Sequence, residues 1–404
     1  MSLVLRNCRA VVTPITPKSV EVLENVNISI DGDSIVNVSS SIPKSQTIID
    51  CSEFVVLPGF SDCHTHLVSA VASSEILRIE CDEARNFMES YKRYIAHEGF
   101  YHAAKILFLK SLIAGTTLIS IYEIPIAHID KLVKEKLLRS FFASSIRNTQ
   151  YFHMYQYSKE LLIFFTYLES DCEDAVQKLK ELKRRGLRIA IHLPLSGAEV
   201  LEFRSKYGYF PVEFLNKFSI LSPNTSLLHA DWMTSWEMQL ISRNDTSVVI
   251  SPVSTAIYGC KGFIPINEMI EQGISVGLGT DLGLACGLNI IEMFKILFML
   301  YRHSYGDLRI GIETAFYIAT AGGYKVLGLD GGIIKPGYLA DLILVNSDHF
   351  DIEDIPYSLL ALKDNFIEAV IVGGKIVYSR DQRRDILRII ENEKKYLRHK
   401  VLRS

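Results

Sequence analysis

Residues 58–66 read PGFSDCHTH, with His64 and His66 separated by a single threonine. The pair follows the apolar run Phe54-Val55-Val56-Leu57 and the breaker Pro58-Gly59. With 11 histidines in 404 residues, a His-x-His triplet arises by chance about 0.3 times, so the triplet by itself decides nothing. On a strand, residues i and i+2 project to one face. The far end of a barrel strand is also where active sites collect. Read that way, both rings can reach one ion.

Three more polar residues occupy the same kind of place. His192 closes the apolar run LRIAIH, His229 closes TSLLH, and Asp281 closes ISVGLGTD. Each alone reads as an ordinary structural residue. Together they put three further donors at the C-terminal ends of three other strands. Imidazole nitrogens with one carboxylate suit Zn²⁺, and Fe²⁺ or Mn²⁺ are compatible.

The surrounding texture supports strand ends. TTLISIYEI, LRIAIHL, TSLLHA, TSVVISP and ISVGLG read as strands, while EGFYHAAKILFLKSLIAG, EDAVQKLKELKRRG, SWEMQLISRND and NIIEMFKILFMLYR read as helices. Alternation of this kind predicts parallel βα units, hence a barrel or a doubly wound sheet. Both ends of the chain differ from the middle. VNISI, DGDSI and VNVSS near the start, and YLADLILVN and EAVIVGGKIVY near the end, predict short strands with hairpin turns at Asp31-Gly32 and Gly373-Gly374. Two isolated hairpins are marginal, so the ends are expected to pack together. The expected domains are residues 1–54 with 332–380, a barrel over 55–331, and a basic C-terminal helix over 381–404. Ile386, Ile390, Leu397 and Val401 are expected to line the buried face of that helix.

Composition excludes several classes. Hydrophobic residues make up 48% and charged residues 22%, as in a globular protein with a large core. A net charge of −3 gives no reason to expect nucleic acid or an anionic membrane as partner. Apolar runs such as LLIFF at 161–165 are far too short to span a bilayer. The N-terminal MSLVLRNCRAVVTP shows no signal-peptide pattern, and seven scattered cysteines without a CxxC suit a reducing compartment. A cytoplasmic protein acting on a small molecule is the expectation. The late VGLGTDLG displaces the third glycine of a dinucleotide fingerprint and lacks the first βαβ unit that would accompany one.

The chain resembles the amidohydrolase superfamily, in its mononuclear-metal branch of cytosine, guanine and adenosine-type deaminases and triazine chlorohydrolases. PGFSDCHTHL at 58–67, AGTTLIS at 114–120, IHL at 191–193, LLHADWMTSWEM at 227–238, SVVISPVST, VGLGTD at 276–281 and GLDGGIIKPGYLADLILV at 328–345 carry the likeness, in order along the chain. The resemblance implies a distorted TIM (β/α)8 barrel with a small β-sandwich built from both termini. It implies one metal ion per chain, Zn²⁺ or else Fe²⁺ or Mn²⁺, held by His64, His66, His192 and Asp281. Asp281 is then also the base for the attacking water, and His229 polarises the reacting group. Enzymes of this branch are often dimers, so a homodimer is compatible.

The pattern breaks at one informative place. Where the branch carries a glutamate three residues after the third histidine, this chain reads HLPLSGAEV, with Leu195 at that position. That glutamate serves as the acid in the deaminases, and leucine cannot replace it. Ile250-Ser251 stands where a histidine often precedes the proline, and VSAVASSEILRIECDEARNF lacks the tryptophan often found after HTHL. Glu123, Glu199 and Asp231 are the candidate substitute acids. The aromatic stretch FFASSIRNTQYFHMYQY at 141–157 is either a stacking surface or core. The function expected is hydrolysis of a C–N bond in a small cyclic nitrogen compound, by deamination or amide-type hydrolysis. The alternative is a metal-binding homologue without deaminase activity.

Overall fold

The computed structural model describes residues 2–41, 47–70, 83, 99–123, 137–147, 162–168, 173–259, 262–283, 287–306 and 308–401. Its strands divide between two sheets. The first five are β1 (Ser2–Thr16), β2 (Ser19–Asp31), β3 (Ser34–Ser39), β4 (Thr47–Asp50) and β5 (Phe54–Pro58). Then come β6 (Phe60–His66), β7 (Thr116–Tyr122), β8 (Arg139–Ser145), β9 (Leu162–Tyr167), β10 (Arg188–His192), β11 (Thr225–Leu228), β12 (Ser247–Ile250) and β13 (Val276–Leu278). The chain returns to the first sheet with β14 (Leu342–Asn346), β15 (Ile367–Val372) and β16 (Lys375–Ser379).

Strands β6 to β13 pair in sequence order, all parallel. A bridge between Thr65 and Asp281 brings the two edges together, so the sheet closes into the expected (β/α)8 barrel. Period-two alternation sorts its side chains. On β10, Ile189 and Ile191 face the surrounding helices, while Ala190 faces the interior. On β9, Phe164 turns outward, and Ile163 and Phe165 inward. Tyr324, Val326 and Leu327 join that interior cluster. The barrel is therefore filled by side chains beneath its mouth.

Strands β1 to β5 and β14 to β16 form the second sheet, in the order β16-β15-β14-β5-β1-β2-β3, with β4 beside β1. The sandwich expected at the termini is one continuous hydrogen-bonded sheet. It curls until β3 meets the segment before β14, where the Ile35 N–H donates to Tyr338 O at 2.8 Å and the Gly337 N–H to Ile35 O at 2.8 Å. That curl encloses a separate core of Leu3, Leu5, Ile28, Ile30, Val56 and Leu344, among others. Gly373 and Gly374, with φ of 54° and 70°, make the hairpin turn between β15 and β16, a backbone that L-residues resist.

One boundary needs correction. The run Phe54–Leu57 was expected to open the barrel at residue 55, immediately before the histidines. Strand β5 instead pairs with β1 and β14, and the barrel begins at Phe60. An all-apolar run of four residues suits either sheet, so its composition carried no information on this point. Gly59 marks the change of sheet; a Cβ there would lie 2.0 Å from Thr117 Oγ1. Strands β8 and β9 were not anticipated. Phe141 and Phe142 belong to β8 and to the core, whereas residues 148–157 of that aromatic stretch lie outside the described residues. So do residues 71–82 and 84–98.

The C-terminal helix Arg383–Val401 packs on the helix Gly99–Ile113. Ile386, Ile390 and Leu397 are buried; the side chain of Val401 lies outside the described set. Glu393 adds polar contacts, with Oε2 2.6 Å from His102 Nδ1 and Oε1 2.9 Å from Lys105 Nζ. Leu397 is only 2% exposed, so Leu397→Ala is expected to cost about 2–5 kcal/mol. Urea unfolding of the variant checks this; a loss below about 1 kcal/mol would mean that the helix is not integral to the core. No helix among the described residues is long and apolar enough to cross a membrane.

Candidate metal centre

The barrel mouth is built around the end of β6. Register against β7 shifts between Asp62 and Thr65, and the strand is tied there to the loop after β13. The Asp62 carboxylate accepts from Thr280 N at 3.0 Å, Thr280 Oγ1 at 2.6 Å and His64 N at 3.3 Å. Burial pushes this carboxyl up to about 7. Next to it the Asp281 N–H donates to His64 O at 2.6 Å. Gly279 lets the two segments approach this closely, since a Cβ there would sit 2.6 Å from His64 Cβ and 2.8 Å from His64 O. Gly279→Ala must push backbone apart, and about 1–3 kcal/mol of destabilisation is expected, read by thermal melting. An unchanged melting temperature would contradict the close packing.

Five side chains named from the sequence meet here. His64 Nε2 lies 2.9 Å from His66 Nε2 and 3.1 Å from His192 Nε2. His66 Nε2 lies 3.3 Å from Asp281 Oδ1. His229 completes a second grouping with His64 and Asp281, whose donor atoms lie within 4.8 Å of one another. All five residues are buried. Burial, with His66, His192 and His229 alongside, holds the His64 pKa well below the ordinary histidine value, so its ring is neutral at physiological pH. Burial also lowers that of His229, against an opposing pull from Asp281.

Rings whose Nε2 atoms crowd to 2.9 and 3.1 Å of one another can turn those lone pairs on a single cation when each carries its proton on Nδ1. Three imidazole nitrogens and a carboxylate are also a donor set typical of zinc. The buried Nδ1 atoms of His66 and His229 have no hydrogen-bond partner, as expected of rings placed for their Nε2 atoms. The residues therefore fit a metal cofactor.

A family model described as the amidohydrolase family matches residues 55–377. The chain belongs to the amidohydrolase family. With that membership comes the class expected from the sequence, a metal-dependent hydrolase acting on C–N bonds in small molecules. Among relatives, a 5-methylthioadenosine/S-adenosylhomocysteine deaminase of Thermococcus sibiricus is 26% identical over 379 residues, covering 87% of this chain and 89% of its own length. Among solved structures, the atrazine chlorohydrolase of Arthrobacter aurescens TC1, complexed with zinc, superposes with a TM-score of 0.83 at 18% identity, covering 98% of this chain and 100% of that one. The guanine deaminase of C. acetobutylicum with bound guanine gives a TM-score of 0.80 at 20% identity, covering 94% and 100%. These last two likenesses speak for the fold.

The three candidate acids of this amidohydrolase separate cleanly. Glu199 is committed to capping the helix Gly197–Tyr207, where its Oε2 accepts from Leu195 N at 2.7 Å and Ser196 N at 3.2 Å. Glu123 Oε1 lies beside His66 Nδ1 at 3.4 Å and accepts from Tyr167 OH at 3.4 Å. Asp231 is buried, accepts from Thr255 Oγ1 at 3.1 Å, and its Oδ2 has no hydrogen-bond partner. Burial pushes the Asp231 carboxyl up to about 7. A raised acid pKa means that folding is favoured at low pH and penalised as pH rises from the ordinary carboxyl range through about 7. Asp231→Asn should therefore match wild type near pH 4 and exceed it in stability at pH 8, as urea midpoints at the two pH values would show. Equal midpoint differences at both pH values would contradict the assignment.

Sequence reasoning missed other parts of the site. Ser251, noted only as a departure from the branch, places Oγ 3.3 Å from His64 Nδ1. The Tyr167 ring stacks on His192 with centroids 4.3 Å apart at 28°, and Tyr122 meets His64 edge-on at 4.7 Å. Tyr122 and Tyr167 both stand at the C-terminal ends of their strands, the same positional signal that identified the histidines. Leu195 is half-buried against the outer core.

Proposed function

We propose that this amidohydrolase holds one Zn²⁺ per chain through His64, His66, His192 and Asp281, and hydrolyses a C–N bond of a small cyclic nitrogen compound. The convergence of three Nε2 atoms and the Asp281 carboxylate, at separations of 2.9 to 3.3 Å, carries this reading. An ion held by these residues would supply a water acidified to a pKa of about 7. Asp281 takes the proton of the attacking water and delivers it to the departing nitrogen. His229, neutral and buried, orients and polarises the group under attack. Its φ of 75°, with Ala230 at 59° and Asp281 at 49°, puts left-handed backbone at the reacting residues, the kind of local strain that collects at active sites.

Deamination is the first reading, and 5-methylthioadenosine, S-adenosylhomocysteine and guanine, named for the relatives above, are the first compounds to test. Leu195 favours a second reading, amide-type hydrolysis of a cyclic substrate, because Asp281 can then move the proton both ways. The intact donor set in a hydrolase family favours either over a role in binding alone. Ammonia release by the zinc-loaded protein over those three compounds tests the first. Turnover of a cyclic amide without ammonia from any aminopurine would select the second, and no hydrolysis of any member of either class would contradict both.

A further inference from the structure

Glu123, the residue after β7, takes no part in the reaction outlined above, yet it is held in an unusual way. Its φ is 71°, a left-handed conformation rare for a residue other than glycine or asparagine and strained for a glutamate. The side chain is 5% exposed. One oxygen, Oε1, lies 3.4 Å from His66 Nδ1 and accepts from Tyr167 OH at 3.4 Å. That tyrosine stacks on His192. One carboxylate thus touches one candidate ligand directly and reaches a second through an aromatic ring. Two strand ends other than those bearing the ligand histidines, those of β7 and β9, are enlisted to do so.

The chemistry of His66 says what this arrangement is for. Its Nε2 faces His64 Nε2 and Asp281 Oδ1 at 2.9 and 3.3 Å, so that atom must be the unprotonated one if it is to bind a cation. Nδ1 is then the N–H, and it has no hydrogen-bond partner within normal limits. The Glu123 carboxylate, at 3.4 Å, is the negative charge placed to favour a proton there. We propose that Glu123 is a positioning residue that fixes the tautomer of His66 and, with Tyr167, the ring plane of His192, so that the zinc site is assembled before the ion arrives. This inference rests on the metal reading above.

Removing such an outer carboxylate typically weakens metal affinity by about 10–100-fold. Glu123→Gly is the sharpest variant, because glycine accepts a φ of 71° without strain. It should raise or preserve the melting temperature of the metal-free protein and weaken zinc binding by about 10–100-fold in chelator competition. Glu123→Gln, which keeps an acceptor oxygen, should restore most of the affinity. A merely structural role predicts the reverse, a lower melting temperature and unchanged affinity. Zinc affinity within about 3-fold of wild type in the folded glycine variant would overturn the proposal. If that variant does not fold, ¹⁵N NMR of the wild-type metal-free protein decides: a proton on His66 Nδ1 supports the proposal, and one on Nε2 overturns it. Failure of the wild type to bind zinc would remove the metal reading itself, a different outcome from equal binding by wild type and variant.

Discussion

Asp281→Asn is expected to lower kcat on the best substrate by about 10³-fold or more, with the fold retained. Asparagine keeps the backbone pairing in which the residue-281 N–H donates to His64 O and nearly the same volume, so closure of the barrel survives. It removes the carboxylate that lies 3.3 Å from His66 Nε2, and with it the proposed base and the proposed anionic ligand. Proton-transfer help alone is worth about 10²–10⁴-fold, and weaker metal retention adds to the loss. The measurement is kcat under saturating zinc, with circular dichroism to confirm folding. A loss below about 10-fold would show that Asp281 is not the base.

Leu195→Glu is expected to raise ammonia release from an aminopurine by about 10²-fold if the natural reaction is deamination. The residue-195 backbone is fixed by donation of its N–H to Glu199, three residues beyond His192 on the same strand-to-helix connection. A carboxyl there restores the acid that the branch uses and that leucine cannot provide. Supplying an absent general acid acts on the barrier by roughly 3 kcal/mol for each such factor. If the natural substrate is a cyclic amide, the variant gains no deamination and loses amide turnover, because an added charge enters a half-buried apolar position. The same substitution therefore distinguishes the two readings by the sign of its effect.

Legibility in the sequence followed local pattern. His192, His229 and Asp281 could be located because each ends an apolar run, and strand ends are where a barrel exposes functional groups. His64 and His66 were paired correctly by period, but assigned to the end of the wrong strand. PGF breaks the run between β5 and β6, and nothing in four apolar residues tells a barrel strand from one in the terminal sheet. Glu123, Tyr167 and Ser251 were not assigned their neighbours, because those contacts join residues far apart in the chain. Glu123 to His66 spans two strands, and Ser251 to His64 closes a separation of 187 residues. Asp62 was hidden for the same reason, since its partners lie in the segment after β13. Glu199 was named a candidate acid, and the capping box Ser196-x-x-Glu199, already present in the sequence, accounts for it instead.

The most direct test is metal content per chain by elemental analysis, on wild type and on the double variant His64→Ala/His66→Ala, with C–N hydrolysis assayed on the same samples. The proposed site predicts about one zinc per chain in the wild type, and loss of both ion and hydrolysis in the variant. A wild type that binds no metal after reconstitution, or a double variant that retains both metal and turnover, would contradict the site described.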